Sequence, residues 1–279
     1  MGELTPVGRT ALGAALWRIA HLLVDGEPKI FVDTLAQRLL GVSDEDVIKA
    51  KAAFPESTAA WVLRSRYAED RLAEARARGV EQYVVLGAGL DTFAYRTAGA
   101  FDGLRVFEVD TPESQSWKRG RLERAGIEIP ASCEFVPCNF ETQSLAEAFA
   151  GSTLDPSRPA FVSWLAVTMY LQREAIEKTL RWIAGLGPRT ELVLTYCVPE
   201  ARAAGGVQFA DQMGARFLSF FSMSEMERFL RETGFEETRP LTFDEARSVY
   251  FSGRTDGLQP STTEFLMWAR VSPLDRAEG

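Results

Sequence analysis

The residues best suited to chemistry lie where a short apolar run ends in two glycines. Segment 84–91 reads VVLGAGLD, so Gly87 and Gly89 flank Ala88. A buried parallel strand reads as such an apolar run. Glycine accepts positive φ at little cost and brings no side chain into the turn that follows the strand. A ligand can therefore approach bare backbone at this turn.

A second apolar run ends in an acid at a spacing typical of ribose recognition. Segment 104–110 reads LRVFEVD and places Asp110 21 residues after Gly89. An acid about 20 residues beyond such glycines, on a neighbouring strand, can accept hydrogen bonds from ribose hydroxyls. The two runs together predict a site for a cofactor that carries a nucleoside.

The glycine pattern indicates a cofactor without phosphates. In a dinucleotide fingerprint a third glycine lets a helix approach the pyrophosphate, and Thr92 stands at that position here. S-adenosylmethionine (SAM) has a ribose but no phosphate and does not need that glycine. A strand and turn with no ligand is the alternative, and Asp110 argues against it. The pattern therefore favours a nucleoside cofactor without phosphates, such as SAM, over a dinucleotide.

Composition favours a protein that acts on a small molecule. The chain has 279 residues and a net charge of −8, so we expect no broad basic surface for nucleic acid. Its apolar stretches are shorter than the roughly 20 residues that cross a bilayer, so we expect a cytoplasmic protein without membrane contact. Cys133, Cys138 and Cys197 form no C-x-x-C pair and His21 is the single histidine, so we expect neither a metal site nor disulfides.

The periodicity of the chain changes near residue 80. Helical spacing of apolar residues predicts helices over 12–23 and 58–78, the second ended by Gly79. Beyond them we predict strands at 83–86, 104–109, 134–137, 160–165, 191–196 and 264–271, and helices at 113–125, 145–150, 173–186 and 224–233. Alternation of this kind predicts a doubly wound α/β fold with a mostly parallel sheet. We interpret residues 1–279 as a single domain, with a helical cap over 1–80 and an α/β core over 81–279.

Three blocks of the sequence resemble the leucine carboxyl methyltransferase family of SAM-dependent enzymes. They are LGAGLDTFAYR at 86–96, FEVDTP at 107–112 and WLAVTMYL at 164–171, and the similarity covers roughly residues 60–270. The resemblance implies a class I methyltransferase fold, SAM as methyl donor, and an oxygen, often of a carboxylate, as acceptor. Bacterial members of this family act on polyketides and other secondary metabolites.

The resemblance also implies roles for individual residues. The glycine turn at 87–89 lines the methionine part of SAM, and Asp110 accepts hydrogen bonds from both ribose hydroxyls. An arginine on the preceding helix binds the methionine carboxylate in the family. Either Arg64 or Arg66 occupies that region, and the sequence leaves both open.

The chain departs from the family pattern at three positions. Asn139-Phe140 stands where the family usually has Asp and an apolar residue, and an Asn oxygen can still accept from the adenine amino group through a weaker, neutral bond. Leu165 stands where some members have Glu, which removes a polar contact to the donor. Thr195 stands where relatives often have Asp, and its role is open.

The chemistry itself favours a carboxylate as the methyl acceptor. Methyl transfer is an in-line displacement at a sulfonium carbon, so positioning supplies much of the acceleration. A carboxylate is ionised near neutral pH and needs no general base, whereas a phenol needs one. Tyr170 and Arg254 are our candidate catalytic residues, which would orient an anionic acceptor. Packing of Tyr170 and an ion pair of Arg254 with Asp256 are the alternatives.

Aromatic residues outside the predicted sheet are candidates for an apolar acceptor pocket that would suit a flat polyketide-type acid. They are Phe31, Phe54, Trp61, Phe217, Phe220 and Phe221. Methylation of a protein's carboxyl terminus and a catalytically idle SAM-fold binding protein are the alternative functions. A nicotinamide-dependent reductase of the short-chain type is disfavoured, because no tyrosine is followed four residues later by lysine.

Overall fold

The computed structural model describes residues 6–53, 58–203, 207 and 215–272. Four helices precede the first strand: α1 (Pro6–Leu23), α2 (Ala36–Leu40), α3 (Asp44–Ala53) and α4 (Thr58–Ala77). The strands are β1 (Gln82–Leu86), β2 (Arg105–Asp110), β3 (Cys133–Pro137), β4 (Phe161–Trp164), β5 (Glu191–Cys197), β6 (Phe235–Leu241) and β7 (Glu264–Val271). The remaining helices are α5 (Phe93–Arg96), α6 (Pro112–Arg124), α7 (Leu145–Phe149), α8 (Arg173–Ala184), α9 (Met223–Thr233) and α10 (Phe243–Tyr250).

The strands form one sheet in the order β3-β2-β1-β4-β5-β7-β6. Strands β1 to β5 are parallel to one another, and β7 is antiparallel to β5 and β6. The prediction of a doubly wound, mostly parallel sheet is confirmed. Strand order reverses between β1 and β4, and ligands bind beside such a reversal, at the carboxyl ends of the strands.

Register brings the ends of the central strands to the same level. Leu86 of β1 lies opposite Val109 of β2 and Trp164 of β4, and Trp164 lies opposite Leu194 of β5. The residues that follow these four positions are Gly87, Asp110, Leu165 and Thr195. Sequence-distant residues therefore meet at one edge because the strands run in parallel and in this register.

Alternating side chains of β1 supply two apolar cores, one on each face of the sheet. Tyr83 and Val85 pack with residues of α1 to α4, whereas Val84 and Leu86 pack with residues of α8 and α9. Successive side chains of a strand point to opposite faces, so a wholly apolar strand serves both layers. The helical residues before β1 thus cover one face of the sheet. The division into a cap and a core at residue 80 stays an interpretation.

Most predicted strands and long helices agree with the structure to within one or two residues, although α1 begins at Pro6, six residues before the predicted start. Strand β6 and helices α3, α5 and α10 were not predicted. Strand β6 reads FEETRPL and buries only its end residues, Phe235 and Leu241. It lies at the edge of the sheet, where a strand can expose most of its side chains, so it lacks the alternating apolar pattern that marks a strand. Helix α3 buries only Val47 and Lys51, so its apolar stripe is too sparse to detect.

A buried polar network joins α1, α3 and α4. The Nε2 atom of His21 accepts from the Ile30 N–H at 2.9 Å, so Nδ1 carries the proton and donates to Asp25 at 2.8 Å. Lys51 lies 3.0 Å from Asp25, and the Thr58 hydroxyl donates to Asp25 at 2.6 Å. Burial opposes ionisation of Asp25, but these partners together lower its pKa. His21 is therefore a structural residue whose two ring nitrogens are both satisfied.

We predict that Lys51→Met lowers the free energy of unfolding by about 3 kcal/mol, because removal of one partner leaves part of a buried charge uncompensated. Lys49→Met is the matched control, since Lys49 pairs with Glu45 in the same helix but its side chain is 70% exposed, against 7% for Lys51. The control should cost no more than about 0.5 kcal/mol. Urea denaturation measures both values, and equal losses would show that the network does not hold the helices together.

Candidate functional site

A cavity of about 310 Å³ lies at the carboxyl ends of β1, β2 and β4, beside the reversal of strand order. Helix α1 lines it with Ala11, Ala14 and Arg18, and α4 lines it with Trp61 and Arg64. Its volume is in the range of small-molecule sites, about 300–1,000 Å³. The helices that precede β1 and the strand ends therefore enclose the same space.

A wider depression of about 550 Å³ lies elsewhere, on α4, β6 and β7. Arginines dominate its lining: Arg71, Arg78, Arg231, Arg239 and Arg270. Four of them pair with glutamates, so most of this positive charge is neutralised locally. Arg78 pairs with Glu191, the first residue of β5, which places the depression toward the opposite edge of the sheet. We therefore take the smaller cavity as the candidate site.

The glycine turn requires glycine for two separate reasons. Gly87 and Gly89 have φ of +69° and +44°, values that other residues rarely adopt. A Cβ atom on Gly87 would lie 2.3 Å from Cγ2 of Val167, and one on Gly89 would lie 3.1 Å from Cβ of Ala11. The turn therefore lets the segment after β4 and helix α1 approach closely.

Asp110 anchors the glycine turn to the end of β2. One carboxylate oxygen accepts from the Gly89 N–H at 2.7 Å, and the other accepts from the Thr111 N–H at 2.7 Å. Burial raises the pKa of Asp110, and the two backbone bonds oppose this shift. Each carboxylate oxygen retains a second lone pair, so Asp110 can hold the turn and still accept from a ligand.

The turn after β4 carries a strained residue that Thr195 stabilises. Ala166 has φ of +57°, which is uncommon for any residue other than glycine. Its N–H donates to Oγ1 of Thr195 at 2.6 Å, and Oγ1 of Thr168 donates to the Thr195 carbonyl at 2.6 Å. Thr195 is fully buried. Its role, which the sequence left open, is to fix the turn that lines the cavity.

Arg64 lines the cavity, and its buried guanidinium has one nitrogen without a partner among the described residues. It is 4% exposed, and its Nη1 lies 3.3 Å and 3.5 Å from the two carboxylate oxygens of Glu264. Its Cζ lies 3.7 Å from the ring centre of Trp61. Within the described part of the chain, Nη2 has no hydrogen-bond partner. Burial lowers the pKa of Arg64, while Glu264 acts in the opposite direction. A buried unpaired donor of this kind is suited to a ligand that brings an acceptor.

The structure brings most of the residues predicted for the site to this one cavity. Those that line it are Arg64, Gly87, Ala88, Gly89, Asp110, Asn139, Phe140, Leu165 and Tyr170. Their meeting follows from the strand register and from the position of α4 beside the carboxyl ends of β1 and β4.

Arg66 and Arg254 do not line the cavity and are not retained as site residues. Arg66 lies two positions beyond Arg64 on α4, which turns it to another side of the helix, and it donates to Asp70 at 2.8 Å. Arg254 pairs with Asp256 and donates to the Pro28 carbonyl at 2.6 Å. The ion pair that the sequence offered as the alternative for Arg254 is the arrangement observed.

Sequence reasoning missed the contribution of α1 to the cavity. Arg18 is 7% exposed, and it donates to Asp33 and to the Leu90 carbonyl, both at 2.8 Å. An arginine beside the apolar stripe of a predicted helix was a usable signal, because a buried charge needs a partner. Asp91 and Glu141 also line the cavity without having been predicted.

The predicted aromatic residues do not form one pocket. Trp61 lines the cavity, Phe31 lies in the core between the helices and the sheet, and Phe221 lies in the core on the other face. Phe217 packs edge to face on Tyr170 with 5.1 Å between ring centres, and Phe220 lies beside Phe217. Phe54 lies outside the described residues.

Among the described residues, no helix combines the length and the apolar character needed to cross a membrane. No group of three or more His, Cys, Asp or Glu side chains is placed to hold a metal ion in those same ranges.

Comparisons with known proteins agree with the geometry. The profile of the leucine carboxyl methyltransferase family matches residues 11–184. YktD of Bacillus subtilis, assigned as a SAM-dependent methyltransferase, is 28% identical over 91% of this chain and 94% of its own length. SCO7813 of Streptomyces coelicolor, assigned to the same class, is 33% identical over 72% of this chain and 74% of its own length.

Solved structures support the fold. A DUF574 family protein from Streptomyces avermitilis superposes with a TM-score of 0.56 at 15% identity, covering 91% of this chain and 96% of that one. A protein assigned as a methyltransferase from Thermobifida fusca gives a TM-score of 0.55 at 16% identity, covering 85% of this chain and 92% of that one. These similarities and the strand order define a class I methyltransferase fold.

The chain belongs to the leucine carboxyl methyltransferase family. It is a SAM-dependent methyltransferase, and the prediction of SAM as cofactor is confirmed. The family match begins at residue 11, so it includes α1 and extends further toward the amino terminus than the similarity that we identified in the sequence.

We predict that Thr195→Val lowers the free energy of unfolding by about 1–3 kcal/mol, because the Ala166 N–H loses its acceptor in a buried position. Thr195→Ser keeps the hydroxyl and should cost clearly less, which makes it the matched control. Guanidinium denaturation of both variants gives the comparison. If valine and serine proved equally stable, the hydroxyl would not hold this turn.

Proposed function

We propose that this methyltransferase transfers the methyl group of SAM to a carboxylate oxygen of a small-molecule acceptor, such as a polyketide-type acid. The supporting observation is the chemistry of the cavity lining. The described residues there include two arginines, three carboxylates and Tyr170, but no histidine or cysteine. Such a site can bind SAM and orient an acceptor, and it is poorly equipped to deprotonate one.

One feature of the cavity fits a SAM molecule in particular. Nη2 of Arg64 is a buried donor without a partner among the described residues, and a carboxylate such as that of the methionine part can complete it. We propose that residues 87–89 line the methionine part, that Asp110 accepts from the ribose hydroxyls, and that Arg64 binds the methionine carboxylate. When bound, SAM supplies a methyl group made electrophilic by its sulfonium.

We assign the adenine end of the cavity to Asn139 and Phe140. Oδ1 of Asn139 accepts from the Glu141 N–H at 3.0 Å, which orients the amide and leaves one lone pair on that oxygen. Phe140 is half-buried, with its ring centre 6.2 Å from that of Trp164. The apolar ring of Phe140 is suited to contact one face of a purine, and the amide oxygen of Asn139 is suited to accept from its amino group.

Tyr170 is proposed to orient the acceptor as a donor and not to act as a base. Burial raises the pKa of its hydroxyl, so the group stays protonated near neutral pH. The remaining candidate bases are Asp91 and Glu141, and carboxylates as a class are about six pKa units weaker as bases than phenolates. An acceptor that arrives already ionised avoids this difficulty, which supports a carboxylate over a phenol.

Helices that precede β1 and strands that follow it build the same cavity, which supports the interpretation of the chain as one methyltransferase domain. Helix α1 contributes Ala11 and Arg18, and the core contributes the glycine turn and Asp110. We propose that residues 1–80 act as the cap of this domain and that the acceptor is a small molecule.

The proposal is tested by incubating the full chain with methyl-labelled SAM and matched pairs of aromatic acids and phenols. We expect label in the acids, released as methanol by mild base, because methyl esters are hydrolysed under conditions in which ethers persist. Label that resists base, or that appears only on phenols, would contradict the proposal. Label recovered on added proteins would instead favour methylation of a protein carboxyl terminus.

We predict that Asp110→Ala weakens SAM binding by about 1.5–3 kcal/mol, because the ribose and the glycine turn both lose a charge-assisted partner. Isothermal calorimetry would measure this as a roughly 10- to 150-fold rise in Kd. Glu113→Ala is the control, because Glu113 is exposed at the start of α6 and does not line the cavity. An Asp110 variant that is folded and binds SAM with the wild-type Kd would remove this residue from the site.

A further inference from the structure

Within the described residues, Arg64 pairs with one carboxylate, that of Glu264 at the start of β7. The contacts of 3.3 Å and 3.5 Å both go to Nη1 and exceed the roughly 2.7–2.9 Å of a strong charge-assisted hydrogen bond. Nη2 is buried and has no partner in the same residues. The guanidinium is thus held at one end and unsatisfied at the other.

Glu264 holds Arg64 from outside the cavity. Arg64 lines the cavity, whereas Glu264 does not, and the Glu264 side chain is 19% exposed. The sheet fixes its position, because Glu264 lies opposite Cys197 in the β5–β7 pairing and its N–H donates to Oγ of Ser261 at 3.0 Å. The backbone of Glu264 is therefore held in place by the sheet and by Ser261, and its carboxylate contacts Arg64 from this fixed position.

Trp61 supports the guanidinium from a second direction, with 3.7 Å between Cζ and the ring centre. Contact with a ring face restrains the plane of the group, and contact with a carboxylate restrains its rotation within that plane. With the side chain supported in these two ways, Nη2 is a buried donor that an incoming group could pair with. This arrangement does more than neutralise a buried charge.

We propose that Glu264 is a positioning residue that holds Arg64 through Nη1 and so keeps Nη2 available to a carboxylate in the cavity. The inference rests on the proposed SAM site, in which that carboxylate belongs to the methionine part of the cofactor. It is independent of the methyl acceptor. In a purely structural role, Glu264 would only compensate the buried charge of Arg64. Its loss would then leave the preference for SAM unchanged or raise it, because an uncompensated guanidinium attracts a carboxylate more strongly.

The test compares SAM with decarboxylated SAM, which keeps the adenosine and the sulfonium but lacks the carboxylate. Calorimetry on the full chain gives the preference as the ratio of the two Kd values. We expect Glu264→Leu to lower the preference for SAM by about tenfold, mainly through weaker SAM binding. Glu264→Gln keeps an oxygen that accepts from Nη1, so it should lower the preference by only about threefold.

Glu237→Leu is the matched control, because it removes another strand glutamate that pairs with an arginine, Arg270, away from the cavity. Its preference should equal that of the wild type. The proposal would be overturned if Glu264→Leu raised the Kd values of SAM and decarboxylated SAM by the same factor. It would also be overturned if the variant bound SAM more tightly. If the leucine variant does not fold, a glutamine variant with an unchanged preference would overturn it.

A wild-type protein without any preference for SAM would remove Arg64 as the carboxylate site, and the role of Glu264 with it. That result would not contradict the proposed transfer of methyl groups to acids, because the labelling experiment detects methyl esters and does not depend on the contact at Arg64. The two proposals can therefore fail separately.

Discussion

The site depends on the close approach of the turn after β4 to the glycine turn after β1. Val167 fills the space that a Cβ on Gly87 would need, at 2.3 Å from its position. Where parallel strands end, backbone N–H and C=O groups lose their partners in the sheet. Here the groups just beyond β1 bond to the end of the neighbouring strand β2. The N–H groups of Gly87 and Ala88 donate to the Val109 carbonyl at 2.8 Å and 3.0 Å. At the glycine turn, the cavity is thus lined by backbone N–H groups that already have acceptors within the protein.

Buried charges in this protein follow two patterns with different consequences. Asp25 lies among His21, Lys51 and Thr58, and its carboxylate oxygens are occupied from several sides. Arg64 has a loose contact to one carboxylate and a free donor. A fully paired charge fixes a structure, because any change leaves a neighbour unsatisfied. An under-paired charge costs stability in the free protein, and a ligand that completes it recovers that cost. The contrast distinguishes the structural network of the helices from the proposed binding site.

The parts of the fold that could be predicted from sequence are those with a local signal. Strands β1, β2 and β5 are buried on both faces and read as apolar runs, so their limits and the glycine turn were clear. Strand β6 has its polar residues outward at the sheet edge and is defined by its pairing with β7, which no local pattern encodes. The choice between Arg64 and Arg66 also needed the structure, because α4 is buried on more than one side and its periodicity does not indicate which face meets the cavity. The positive φ of Ala166 leaves no trace in the sequence.

Two departures from the family pattern each remove a negative charge from the cavity. The resemblance implies that many members of the family have an acid at the positions of Asn139 and Leu165, so the cavity carries less negative charge here than that pattern implies. A carboxylate acceptor must approach within reach of the methyl group, and each nearby acid would oppose that approach in a site of low dielectric constant. Loss of two acids weakens contacts to the cofactor but lowers the repulsion of an anionic acceptor. A catalytically idle protein would gain nothing from this exchange, whereas the retained glycine turn and Asp110 still provide a place for SAM. The residues at these two positions therefore agree with the proposed transfer to an acid.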